Sequence, residues 1–185
     1  KASYGASVST LREILNRLAS ERLVLAEGQK GFEVAPVSIA NLKEIAALRQ
    51  LLECHALEQS FKAGDVEWEG NVVAAHYRLA QMEKRMAKGD KTATVMWKTY
   101  DWQFHQSLIS ACGSKMLMET HSAVFDKYLR YQMIALSYRG SIAEKEHRAL
   151  LDCALKRDAK TACDVLTRHV EGGVADAIAS GTIKS

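Results

Sequence analysis

A single proline in 185 residues, Pro36, limits most sharply what this chain can become. Proline and glycine are the main punctuators of local structure, and from Ser38 onward only isolated glycines interrupt the sequence. The breaks fall at Ala63-Gly64-Asp65, Lys88-Gly89-Asp90, Cys112-Gly113-Ser114, Arg139-Gly140-Ser141 and around Arg157-Asp158. Most set a glycine beside a residue able to cap the next helix, which is how one helix stops and another starts. Between breaks the pattern is helical in period. The spacing predicts helices near 38–62, 65–88, 90–111, 114–138, 141–157 and 158–179. Six helices joined by such short turns make an antiparallel bundle, so the expected fold class is all-α.

The segment up to Val37 reads differently. Residues 7–20 form a short amphipathic helix with Leu11, Ile14, Leu15 and Leu18 on its apolar stripe and Ser7 or Ser9 as N-cap. Two β-like runs follow, Leu23 to Ala26 and Gly31 to Val37, joined by E-G-Q-K-G, a loop suited to a tight hairpin. The expected organisation is a small unit over 1–37 and a bundle over 38–185. A helix followed at once by a ribbon is the second half of a winged helix-turn-helix, whose helix enters the major groove while the ribbon tip touches the backbone. Ser7, Ser9, Thr10 and Arg12 then supply hydroxyls and a guanidinium for phosphates or base edges, and Gln29 and Lys30 suit backbone contact. On periodicity alone, a helix-hairpin cap without a DNA role fits equally well. The chain opens at Lys1 with no Met, so the first helices of such a domain are expected to be missing from this sequence.

Bulk properties exclude more than they assert. A net charge of +3 is too mild to argue for nucleic acid, so any case for DNA rests on the local motif. No run approaches the roughly 18 apolar residues of a membrane span, and no signal peptide opens the chain. Cys54, Cys112, Cys153 and Cys163 form no C-x-x-C pair, and three lie in apolar helical patterns. They read as free thiols in a reducing cytoplasm.

The bundle carries ligand-type side chains on its inward faces. Asp101 and His105 lie four apart on one helix, on the face shared by Phe104, Leu108 and Cys112. His147 sits on the stripe of Ala143, Leu150 and Leu151, and His169 follows Val165 and Leu166 at the same spacing. Burying a neutral polar group unpaired costs roughly 2–7 kcal/mol, and a carboxylate more. The four therefore need each other or a cation. Three imidazoles and a carboxylate suit a divalent transition metal, zinc first, nickel or manganese next, with positions left for water or a ligand. Separately hydrogen-bonded core histidines are the plainer alternative. His55, His76 and His121 lack such a constellation and read as surface or ordinary core residues. Arg49 falls among Leu42, Ile45, Leu52 and Ala56, so its head group points inward. It either pairs with Glu53 four residues on, or holds the carboxylate of a small acid that also ligates the metal. Two rival readings stand beside a sensor: a metal-dependent hydrolase with Glu146 as candidate base, and a helical scaffold without metal.

S-V-S-T-L-R-E-I-L-N-R-L-A-S-E-R-L-V followed by G-Q-K-G-F-E-V resembles the recognition helix and wing of GntR-family repressors. The resemblance implies DNA contacts at Ser7, Ser9, Thr10, Arg12 and Gln29, Lys30 and Gly31. Many relatives carry arginine where this chain has Val8. D-W-Q-F-H, then E-H-R-A-L-L-D-C-A-L-K-R-D-A-K-T-A, then L-T-R-H resembles the FCD sensor domain of the FadR branch over nearly all of 38–185. That domain is an all-α bundle whose Asp-His-His-His set holds a metal, which implies that role for Asp101, His105, His147 and His169. Six sensor helices resemble the VanR-like subtype. W-E-G-N-V-V-A-A-H-Y-R-L and R-Y-Q are similar to phrases in carbon-starvation repressors that sense glutarate-like acids. The R-x-x-x-E position implies that Arg49 faces the effector, with Arg130 and Tyr131 as further candidates. The resemblance thus implies a cytoplasmic, homodimeric repressor that leaves a palindromic double-stranded operator when a small carboxylate binds.

Overall fold

The computed structural model describes residues 5–26, 31–135 and 138–183. It separates into two compact units, Lys1–Val37 and Ser38–Ser185.

In the first unit α1 spans Val8–Ser20. The Ser7 hydroxyl caps it by accepting the Thr10 N–H at 3.1 Å and lies 2.7 Å from the Ser9 hydroxyl. Ser7, Ser9, Thr10 and Arg12 are all exposed at the start of this helix. After α1 the chain reverses through Arg22 in the left-handed region, and β1 (Val24–Ala26) pairs antiparallel with β2 (Phe32–Val34), Val24 opposite Val34. Gly31 opens β2 with φ +103°, a conformation glycine adopts without the Cβ penalty. Gln29 and Lys30, expected at the ribbon tip, lie outside the described residues.

The second unit holds α2 (Ile39–Ala63), α3 (Val66–Ala87), a 3-10 turn at Lys91–Ala93, α4 (Thr94–Ile109), α5 (Lys115–Ala135), α6 (Ser141–Lys156) and α7 (Ala159–Ala179). The breaks obey the capping chemistry read from the sequence. Ser38, Asp65 and Asp158 accept backbone N–H groups of Asn41, Trp68 and Thr161, and Ser114 accepts that of Leu117. The helix expected over 90–111 is shorter, because Lys91–Ala93 winds as 3-10 and α4 stops at Ile109. Cys112 consequently sits in the following turn rather than on the Phe104–Leu108 face.

Packing follows the apolar stripes. α2 lies against α7, α5 and α4, α3 against α4 and α6, and α6 against α7. Leu57, Val72, Leu79, Phe104, Leu108, Phe125, Leu150 and Leu166 fill the space between them. No helix among the described residues is long and apolar enough to cross a membrane.

One expectation is overturned here. Cys54 and Cys163 are disulfide-bonded, with Cα atoms 5.2 Å apart. They are 109 positions apart in sequence, and only the α2–α7 packing brings them together, so spacing could not reveal the pair. Cys112 and Cys153 are free.

Candidate metal centre and ligand cavity

Asp101 and His105 on α4, His147 on α6 and His169 on α7 converge inside the bundle. Each offers one ligand-type atom, and those atoms all lie within 4.8 Å of one another. All four residues are buried, His105 completely.

Each histidine is gripped from behind by a carboxylate. His105 Nδ1 meets Glu53 of α2 at 3.0 Å, His147 Nδ1 meets Glu83 of α3 at 2.6 Å, and His169 Nδ1 meets Glu146 of α6 at 2.8 Å. Such an outer hydrogen bond fixes ring orientation and leaves the other nitrogen to a metal. The Nε2 atoms of His105 and His147 are indeed buried without a hydrogen-bond partner. Asp101 Oδ1 lies 3.2 Å from His147 Nε2, near enough for charge attraction but out of line for a hydrogen bond. Two facing atoms of this kind are what a shared ion satisfies. With metal–nitrogen bonds of about 2.1 Å, tetrahedral ligands stand about 3.4 Å apart, so the most distant pair would close by about 1.4 Å around an ion. Three imidazoles and a carboxylate are the donor types a divalent transition ion takes, so the donor set fits one.

Electrostatics separate the three rings. Burial lowers His105, and burial with two imidazole neighbours holds His169 at about 3 against the pull of Glu146. Burial also disfavours charge on His147, but Asp101 and Glu83 on either side outweigh it and raise its pKa to about 9. Burial favours the neutral acid at Asp101, yet His147 and Lys98 keep it well below the usual carboxylate range.

Glu53 anchors a wider network that sequence reasoning only half saw. It accepts from Arg49 Nε at 2.6 Å and His121 Nε2 at 2.7 Å in addition to His105. His121 accepts from Gln106 on its other nitrogen, so this residue is buried network rather than bystander. Arg49 lies over the Phe125 and Tyr128 rings, 4.3 and 4.7 Å from their centroids.

A cavity of about 20 Å³ opens beside the cluster, lined by Asp101, His147 and His169 together with Trp97, Lys98, Gln132 and Arg139. Arg49, Arg130 and Tyr131, the expected acid-binding set, do not line this cavity. Arg49 donates its Nε to Glu53, while its buried Nη2 has no hydrogen-bond partner among the described residues. Tyr131 donates its hydroxyl to Asn41 and accepts from the Ser38 backbone, which ties α5 to the start of α2. Arg130 is half-buried on α5. Lys98 and Arg139 do line the cavity. The Lys98 ammonium is buried, bonds Gln132 Oε1, lies 3.9 Å from the Trp97 ring and is attracted by the Asp101 carboxylate. Burial lowers its pKa to about 8. Lys98 precedes Asp101 by one turn on the same face, a signal present in the sequence. Arg139 bonds Glu146 and the His169 backbone carbonyl. Gly172 and Gly173 on α7 let it approach, because a Cβ at Gly172 would strike Arg139 and one at Gly173 would strike Tyr128.

Glu146 was the candidate base of a hydrolase. Burial raises its pKa, but its bonds to His169 and Arg139 prevail and hold it at about 2. A carboxylate so committed is a poor proton acceptor near neutrality.

A helix-and-ribbon unit followed by an all-α bundle with a polar cluster at its heart defines a class, that of one-chain transcriptional regulators with a sensing domain. The chain belongs to the FCD-domain family of GntR-type regulators, the FCD domain matching residues 44–172. It is 35% identical over 176 residues to BphR, an HTH-type transcriptional regulator of Paraburkholderia xenovorans, covering 94% of this chain and 72% of that protein. It is 29% identical over 173 residues to the HTH-type transcriptional repressor GlaR of Escherichia coli, covering 90% and 78%. The fold matches a putative GntR regulator from Rhodococcus sp. with a TM-score of 0.76 at 21% identity, covering 96% of this chain and 83% of that one. It also matches the Zn2+-bound FCD domain of TM0439 with a TM-score of 0.60 at 17% identity, covering 77% and 94%. These relatives are regulators, not enzymes.

Proposed function

We propose that this chain is a ligand-responsive repressor in which Asp101, His105, His147 and His169 hold one divalent ion, zinc first, and a small carboxylic acid binds beside it. The observation that carries this reading is the buried Nε2 of His105, without a hydrogen-bond partner, beside that of His147, which faces only the Asp101 carboxylate, each ring with its Nδ1 already on a carboxylate. A buried nitrogen without a partner is costly, and an ion removes the cost at both. The Zn2+-bound FCD domain of TM0439 supports the choice of zinc.

A bound ion would supply a Lewis-acidic point for one carboxylate oxygen. The rest is done by this chain's own side chains. Lys98 offers the acid a buried ammonium, Gln132 holds that ammonium in place, and Arg139 presents guanidinium nitrogens at the cavity wall. Glu53, Glu83 and Glu146 orient the rings. Arg49 serves as counter-ion of Glu53 rather than as an acid contact.

Ser7, Ser9, Thr10 and Arg12 on the exposed face of α1, with Gln29, Lys30 and Gly31 of the ribbon, are the positions we assign to operator DNA. A second copy of the chain would supply the matching half-site. For the acid to regulate, it must bind the DNA-competent and DNA-released arrangements unequally, since occupancy alone shifts nothing.

The test is thermal unfolding of the purified chain with zinc or with chelator, against a panel of C4 to C6 dicarboxylates and sugar acids. Zinc alone raises the melting temperature, and at least one acid raises it further only when zinc is present. If chelation leaves the melt unchanged and no acid stabilises, the proposal fails. Turnover of an acid by the zinc-loaded chain would instead favour an enzyme.

A further inference from the structure

Cys54 and Cys163 join α2, which carries Glu53, to α7, which carries His169 of the cluster. Cys54 follows Glu53, the residue that holds His105 and His121. Cys163 lies six positions before His169 on α7. Both are half-buried, so small oxidants and reductants can reach them, whereas Cys153 is buried. Gln50 donates to the Thr167 carbonyl at 3.3 Å, a second tie between α2 and α7 close to the sulfur bridge. α2 and α7 are thus also held by packing and by this hydrogen bond, neither of which involves the sulfurs.

A regulator that works on DNA shares its compartment with thiol reductants of the glutathione and thioredoxin type. There structural disulfides are rare, and those that occur are mostly transient or redox-sensing. We propose that Cys54–Cys163 is a reversible oxidation site, closed by a peroxide or a low-molecular-weight disulfide and opened by thiols. On closure two S–H bonds give way to one S–S bond. Two electrons and two protons pass to the oxidant, turning one hydrogen peroxide into two waters or one oxidised glutathione into two glutathione thiols. Closure staples α2 to α7 and shortens the free chain of the unfolded state across 109 positions, so the oxidised bundle unfolds at a higher temperature. Cys112 takes no part, since it sits in the turn after α4.

The experiment compares the fully reduced chain with the same chain given a small excess of hydrogen peroxide or oxidised glutathione. Each sample is alkylated and mapped by peptide mass spectrometry. One cross-linked peptide pair, Cys54 with Cys163, is expected, with Cys112 and Cys153 alkylated, and dithiothreitol restores the reduced map. The melting temperature rises by about 5–10 °C on oxidation. The rise disappears in Cys54→Ser and in Cys163→Ser but persists in Cys112→Ser. The proposal is overturned if both cysteines stay open to alkylation under excess oxidant, or if dithiothreitol leaves the link intact in the folded chain. It is also overturned if Cys163→Ser shows the same oxidative rise as the unmodified chain. The mapping arm uses the natural sequence, so it decides even where a serine variant folds poorly.

Discussion

Replacing Glu83 tests the metal centre at a residue that touches no metal. Its Oε1 accepts the Nδ1 proton of His147 at 2.6 Å, and its side chain is almost wholly buried. Glu83→Gln keeps the size of the side chain and an oxygen acceptor, but removes the charge. A charge-assisted hydrogen bond is roughly twice as strong as a neutral one, so the variant keeps the ring with about half the grip. Loss of an outer carboxylate behind a ligating histidine typically weakens metal binding ~10- to 100-fold, or about 1.4–2.7 kcal/mol. Glu83→Gln belongs near the lower end of that range and Glu83→Ala, which also removes the acceptor, near the upper. Zinc competition against a chromophoric chelator measures the change, with circular dichroism confirming that each variant is folded. Glu58→Gln, an exposed position on α2, serves as control. A folded Glu83→Gln that holds zinc within a factor of about two of the natural chain would refute this account of the histidine's support.

Lys98→Met removes the cavity's ammonium, the charge that helps hold the buried Asp101 ionised, so it abolishes the thermal shift produced by an acid; denaturant melts with and without acid check this. Gly173→Ala drives a methyl into Tyr128 and Gln132 and destabilises by about 1–3 kcal/mol. Gly70→Ala, in open space on α3, instead stabilises by about 0.5–1 kcal/mol, and urea unfolding distinguishes the two. Arg12→Ala leaves the melting temperature within about 1 °C, because the side chain is exposed, while operator affinity in a gel-shift titration falls several-fold.

Local chemistry was legible in the sequence, and long-range chemistry was not. Capping residues at Ser38, Asp65, Ser114 and Asp158 marked four helix starts, because a cap is decided within three residues. Asp101, His105, His147 and His169 were visible as inward-facing polar residues, because helical period alone reports which face is apolar. Their supports were hidden. Glu83 sits 64 positions from His147 and Glu53 sits 52 from His105, and nothing in a helical period says which distant carboxylate will meet which ring. Arg49 showed the opposite difficulty: its inward direction was readable, but only the fold reveals that Glu53 and two aromatic faces meet its guanidinium. Cys54 and Cys163 went unpaired in the reading for the same reason. Gly172 and Gly173 lie within a helical run, and only the fold shows that they mark where α7 comes against Arg139 and Tyr128.

The size of the cavity has a consequence for signalling. A space of about 20 Å³ is room for roughly one water molecule, well short of any organic acid. Its walls are side chains from α4, α5, α6 and α7. An acid could enter only if side chains on these four helices gave way, which would couple its binding to the packing of the whole bundle.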